Sequence, residues 1–198
     1  MPGTVLVVAP HPDDESIGCG GTICLHSRRG HRVQVAFLTS GERGIAGVSS
    51  ETARAIREAE ANAAGEVLSL ARLDFLRLPD LEVADQIESG AIQLRAILEM
   101  SAPELIYLPH PGEAHPDHQA ALPLVRRAFA GLTARPELRL YEIWSPFTAH
   151  GWAEDISPFM RQKLRAVRCY QSQLATFRYD RAVRGLNQYR GCLAAGCR

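Results

Sequence analysis

The chain has no excess of either charge: 22 lysines and arginines stand against 22 aspartates and glutamates, and the formal net charge is zero. A protein that binds nucleic acid or an anionic membrane through its field needs a basic face, so the balance favours small, roughly neutral partners. Long apolar runs are missing too. Nothing approaches the roughly 18 to 20 residues of a membrane span. The first apolar run, "TVLVVA" at 4–9, begins without the basic flank of a signal peptide. The expectation is a cytoplasmic protein with no membrane span and no nucleic-acid partner. Cysteine is scarce and unpaired: there are five, an odd number, with no CxxC, and Cys192 and Cys197 lack the histidine or cysteine partners of a structural zinc site. They read as reduced thiols, with Cys19 and Cys24 packing as small hydrophobes. The dinucleotide fingerprint is absent as well. Gly18, Gly20 and Gly21 in "GCGG" lack its spacing and follow an acidic turn that would repel a pyrophosphate. No repeat, low-complexity tract or linker divides the chain, so its 198 residues, 46% of them hydrophobic, are read as a single domain over 1–198.

What is present is an alternation of short apolar runs with longer stretches of helical period, the pattern of βαβ units and hence of an α/β fold. Strands are expected at "TVLVVAP" (4–10), "RVQVAFLT" (32–39), "LDFLRLP" (73–79), "ELIYLPH" (104–110) and "LRLYEIW" (138–144). Helices are expected over 17–30, 49–70, 89–102, 118–132 and about 159–170. In the second helix, Ile56, Ala59, Ala63, Val67 and Leu70 form the expected packing stripe, with Arg54, Arg57, Glu58 and Glu66 on the polar side. The segment "SPFTAHGWAEDISPF" reads as a long loop over one sheet edge, and the stretch from Tyr179 onward shows no clear period.

Ligands of open parallel sheets bind beyond the carboxyl ends of the strands. Two strand-end loops there contain His-Pro-Asp: "HPDDE" after the first strand and "PHPGEAHPDHQ" after the fourth. Proline followed by an acid is also an ordinary helix start, and either loop alone would be read that way. A cap explains the acids but not why His11, His115 and His118 occupy two strand ends that face one crevice. A metal would. Catalytic zinc takes three imidazole or carboxylate ligands and keeps a position open for water, and His11, Asp14 and His118 fit that list. Side chains of the adjacent Asp13 and Asp14 diverge, so one can ligate while the other faces the polarised water. In the same way, one of His115 and His118 can ligate while the other approaches substrate, with Asp117 orienting His115. His110 reads as a loop hydrogen-bonding residue.

These residues carry a resemblance. "PHPDDESIGCGGT" at 10–22 together with "HPDH" at 115–118 resembles the LmbE or PIG-L family of zinc-dependent N-acetylglucosaminyl deacetylases. "TSGERG" (39–44), "REAEANAAGEVL" (57–68), "LRLPDL" (76–81) and "YQSQ" (170–173) resemble family segments in the same order. The resemblance implies a Rossmann-like three-layer sandwich with a mostly parallel sheet and hydrolysis of an acetamide on an amino-sugar conjugate. It assigns zinc, or another divalent metal, to His11, Asp14 and His118, and the general base to Asp13. His115 would stabilise the oxyanion or protonate the leaving amine, as an imidazolium favoured by Asp117, and Arg57 and Asp80 would contact substrate. Arg57 alternatively reads as a solvated helix charge. A homo-oligomer stays open. Two departures stand out: Pro10 replaces the family's usual alanine, and Glu113 stands where members acting on inositol-linked glucosamine carry tyrosine. Two other classes compete. One is a metal-dependent hydrolase of phosphoesters or of another amide or ester, of which the phosphoester form would call for a second metal and more carboxylates; the other is a non-catalytic metabolite binder, which would have lost the base, whereas Asp13 is present.

Overall fold

The computed structural model describes residues 3–133, 135–149 and 151–194. Five strands, β1 (Thr4–Ala9), β2 (Arg32–Phe37), β3 (Arg72–Phe75), β4 (Leu105–Pro109) and β5 (Glu137–Tyr141), form one wholly parallel sheet in the order β3-β2-β1-β4-β5. Among the described residues seven α-helices accompany them: α1 (Gly20–Arg28), α2 (Ser50–Leu68), α3 (Ile87–Ser101), α4 (Pro116–Ala128), α5 (Met160–Val167), α6 (Gln171–Leu174) and α7 (Tyr179–Ala194). Parallel strands need crossovers, and the crossover helices cover both faces. Alternate side chains of β1 divide accordingly. Val5, Val7 and Ala9 pack with Ile23 of α1, Leu68 of α2 and Val167 of α5. Leu6 and Val8 pack with Leu94 of α3 and Leu124 of α4 on the other face. The α/β class and the three layers expected from the alternation are therefore present.

The position of the site follows from strand order. The chain runs outward from β1 to β2 and β3, then returns to place β4 on the other side of β1, with Val5 opposite Leu105 and Val7 opposite Tyr107. The first and fourth strands are thus neighbours at the point where the winding reverses, the place where such sheets open a crevice. Both His-Pro-Asp loops emerge there.

Three elements depart from the sequence reading. The buried stripe of α2 is Ala53, Arg57, Ala61, Ala64 and Leu68, while Ile56 is 37% exposed. Small alanines let the helix approach closely, and Arg57 is acceptable inside because it finds partners there. The third strand stops at Phe75 because Arg77 has φ 54° and Leu81 φ 69°, left-handed values that bend the chain toward the crevice. The stretch without clear period forms the helix α7, of which only Asp180 and Val183 are buried. So narrow a contact, with Gly185 and Gly191 in the same stretch, leaves little periodic signal. The long loop before α5 does cover the edge strand: Arg139 of β5 lies 4.3 Å over the Trp152 ring. Among the described residues no helix is long and apolar enough to cross a membrane.

One buried charge is unsupported. Lys163 of α5 is almost wholly buried, with no salt bridge at its ammonium among the described residues, and burial pulls it down to about 8 against the weaker pull of Cys19 and Glu142. The unfolded chain keeps this proton up to its ordinary 10.5, so between these values the unfolded state binds more protons and stability rises with pH. The cost is fully present below pH 8. Lys163→Met should therefore raise stability at pH 7 by up to about 3 kcal/mol, and the gain should fade toward pH 10.5. Denaturant titrations of both proteins at the two pH values measure it.

Candidate metal centre

The loop after β1 is built around a carboxylate oxygen. Asp14 Oδ2 accepts the His11 backbone N–H at 2.9 Å, lies 3.2 Å from His11 Nδ1, and lies 3.2 Å from Nε2 of His118 on α4. All three residues are buried. His115, the N-cap of α4, completes a cluster of imidazoles, its ring centroid 4.6 Å from that of His11 and 4.9 Å from that of His118. The Trp144 ring stands edge-on to His115 at 5.5 Å.

Several groupings could hold an ion. Ligand atoms converge in His11, His115 and His118, and also in His11, Asp80 and Asp117. The second set is already engaged. Asp117 Oδ2 accepts from His11 Nε2 at 3.1 Å and from the Leu81 amide at 2.8 Å, its Oδ1 accepts from the Val83 amide, and Asp80 Oδ2 accepts from the Arg43 amide. The opposite side of His11 differs. The fully buried His118 faces a carboxylate with each ring nitrogen, Nε2 toward Asp14 at 3.2 Å and Nδ1 toward Glu113 at 3.5 Å, but neither contact is aligned as a hydrogen bond. Tetrahedral zinc at about 2.0–2.2 Å from each ligand places those ligands about 3.3–3.6 Å apart. The two 3.2 Å separations at Asp14 are close to that edge, so the donor set around Asp14 has the spacing and chemistry of metal ligands on those two edges, while His11, His115 and His118 supply the group whose ligand atoms converge.

Charge follows the same geometry. Burial opposes charging His11 and His118, but Asp117, Asp14 and Asp80 hold His11 well above its usual value, and Asp14 holds His118 up at about 9. Burial pushes Asp13 up to about 8 against the pull of the Arg57 guanidinium. A carboxyl poised near neutrality is suited to accepting a proton at working pH.

Four expectations need correction. Asp117 does not orient His115 with its carboxylate, which faces His11; it is the Asp117 backbone N–H that donates to His115 Nδ1, at 3.2 Å. That places the ring proton of His115 on Nε2. Nor do its surroundings favour an imidazolium at His115: burial, His11 and His118 lower its pKa, outweighing Asp117 and Asp14. Asp80 is 4% exposed, and its carboxylate is turned to the ring of His11, 3.2 Å from Nε2, rather than out into the crevice. Arg57 is not a solvated charge, being 3% exposed, bonded to the Pro12 carbonyl and 3.4 Å from Asp13 Oδ2. Gly41 is needed for this, since its φ is +62° and a Cβ there would come 2.9 Å from the guanidinium.

Glu15, Tyr170 and Glu113 are further positioning residues to which the sequence reading assigns no role. Asp13 has φ 125°, strained for a residue with a Cβ, and its N–H donates to Glu15 Oε2 at 3.1 Å. Glu15 is itself held by Ser16 at 2.5 Å and by the buried Tyr170 hydroxyl at 2.6 Å. Tyr170 belongs to the quoted "YQSQ", but nothing local linked it to Asp13. Glu113 lies 3.5 Å from His118 Nδ1 and accepts the amides of Ile143, Trp144 and Ser145. His110 bonds within the loops, to the Ser145 carbonyl and the Gly112 amide.

Residues 6–129 match the family model PIG-L, described as GlcNAc-PI de-N-acetylase. The chain belongs to the PIG-L family. It is 31% identical to the probable N-acetyl-alpha-D-glucosaminyl L-malate deacetylase 2 of Bacillus anthracis, over 87% of this chain and 82% of that one. It is 30% identical to the diacetylchitobiose deacetylase of Thermococcus kodakarensis, over 85% of this chain and 69% of the relative. A conserved protein of Thermus thermophilus superposes with a TM-score of 0.83 at 32% identity, covering 96% of this chain and 89% of that one. This member of the PIG-L family is an N-deacetylase, a hydrolase of amide carbon–nitrogen bonds.

If Tyr170 and Glu15 support the strained loop as described, Tyr170→Phe should cost about 1.5–3 kcal/mol, the range for a hydrogen bond to a charged group. Equilibrium unfolding measures the loss; a stability equal to wild type would mean that Ser16 alone holds Glu15.

Proposed function

We propose that this centre binds zinc, or another divalent ion, through His11, Asp14 and His118 and hydrolyses the acetamide of an N-acetylglucosamine-type conjugate. The observation that carries the reading is the placement of Asp14 Oδ2 at 3.2 Å from both His11 and His118, with Asp13 beside it in the same loop. Names of the relatives, which act on N-acetylglucosaminyl malate and on diacetylchitobiose, support the substrate class. The engaged state of Asp80 and Asp117 favours a one-metal amide hydrolase over a two-metal phosphoesterase, since a second ion would have to compete with backbone amides for those carboxylates.

When bound, the ion would supply Lewis acidity, acidifying water and polarising the acetamide carbonyl. The residues do the rest. Asp14 and Asp117 grip opposite nitrogens of His11, and Glu113 stands behind His118, so both imidazoles are oriented before any ligand arrives. Asp13, held by Glu15 and Arg57, takes the proton of the attacking water as its oxygen adds to the carbonyl carbon. His115, with its proton on Nε2, donates to the developing oxyanion as a neutral ring. As the C–N bond breaks, the proton passes from Asp13 to the amine. Acetate and the free amino sugar leave.

Protein purified with zinc should hold about one ion per chain, and His118→Ala should lose it. Asp13→Asn should keep the metal while turnover falls by about 10²–10⁴-fold. His115→Ala should keep the metal and lose about 10²–10³-fold in kcat. Elemental analysis paired with acetate release from a panel of N-acetylglucosamine conjugates reads all three. Metal lost in His115→Ala but retained in His118→Ala would reverse the two assignments.

A further inference from the structure

A groove of about 450 Å³, bounded by Ile17, Trp144, Pro146, Phe177, Tyr179 and Leu186, shares its Trp144 wall with the centre. That volume lies within the roughly 300–1,000 Å³ of small-molecule sites. Two of its walls are joined to the reacting groups. The Ile17 amide donates to the Asp13 carbonyl at 2.9 Å. The Trp144 amide donates to Glu113 at 3.1 Å, while its ring touches His115 and His118 edge-on at 5.5 and 5.8 Å. Trp144 is thus a wall common to the groove and to the imidazole cluster, so an occupant of the groove would reach the centre along that ring. The described lining contains no lysine, arginine or histidine, and its one acid, Glu142, is paired with Arg190 at 2.6 Å and caps the Phe147 amide. Trp144 and Phe177, 51% and 60% exposed, present bare aromatic surface.

We infer that this groove is the subsite for an apolar aglycone, an alkyl or aryl group borne by the N-acetylated amino sugar. An anionic aglycone would find no cation in it, and a polyhydroxylated one would meet mostly carbon. The inference rests on the deacetylase reading and narrows its substrate class.

The test compares methyl, butyl, hexyl and phenyl N-acetylglucosaminides with the zinc-loaded protein, by acetate release and separately by calorimetric binding. From methyl to hexyl, kcat/KM should rise by about 10- to 100-fold, through KM, and Kd should fall in parallel. The hexyl-to-methyl ratio should collapse toward one in Leu186→Asn and in Ala182→Phe, which make the groove polar or fill it, while Ile92→Ser on the far helix α3 keeps the ratio. Release from all four glycosides with a flat ratio overturns the subsite and leaves the deacetylase reading standing. No release from any of them, with the binding preference and its loss in both variants intact, does the reverse. A ratio that survives both variants, or a gain with longer N-acyl chains in place of longer aglycones, also overturns it.

Discussion

A single oxygen, Asp14 Oδ2, connects the two halves of the sheet at their active edge, lying 3.2 Å from a ring nitrogen that follows β1 and 3.2 Å from one carried by the helix after β4. Placing a carboxylate and two imidazoles in a dry interior is costly unless each charge is matched. The surroundings are arranged around that requirement: Asp117 and Asp80 meet the far side of His11, Glu113 meets the far side of His118, and backbone amides saturate Asp117 and Glu113 in turn. His118 faces carboxylates on both sides without an aligned hydrogen bond to either.

Asp13 depends on residues far from it in sequence. Its φ of 125° is maintained by Glu15, which is anchored by Tyr170 near the other end of the chain, and its carboxylate faces Arg57 of α2. A wide π-helical turn over Glu15–Cys19 leads from this loop into α1 and carries Ile17 to the groove. The strained base and the apolar wall beside it thus belong to one continuous segment, and Glu113 ties the opposite wall, Trp144, to His118. The His-Asp cluster and the walls of the groove share the same supports.

Much of the architecture was legible in the order of residues. Strand-length runs alternating with helical periods specify parallel strands with crossovers, and the five strands and the main crossover helices follow from that alternation. The α2 stripe was misjudged because Ile56 carries more apolar weight in a pattern than Ala53, Ala61 and Ala64, whereas packing against a sheet rewards small residues and closeness.

By itself, the sequence determined which residue types meet at the strand ends: two His-Pro-Asp loops, with an Asp pair in one and a histidine pair in the other, offer imidazole and carboxylate groups of the kind that metal sites use. The tertiary structure alone decided the pairing. Asp117 turned from its neighbour His115 to His11, and Arg57 turned inward to Asp13, because burial makes an unpaired charge expensive and the nearest partner in space is seldom the nearest in sequence. The groove is of the same kind, for its walls come from the turn after β1, the segment after β5 and the helix α7, and no local pattern records that they meet.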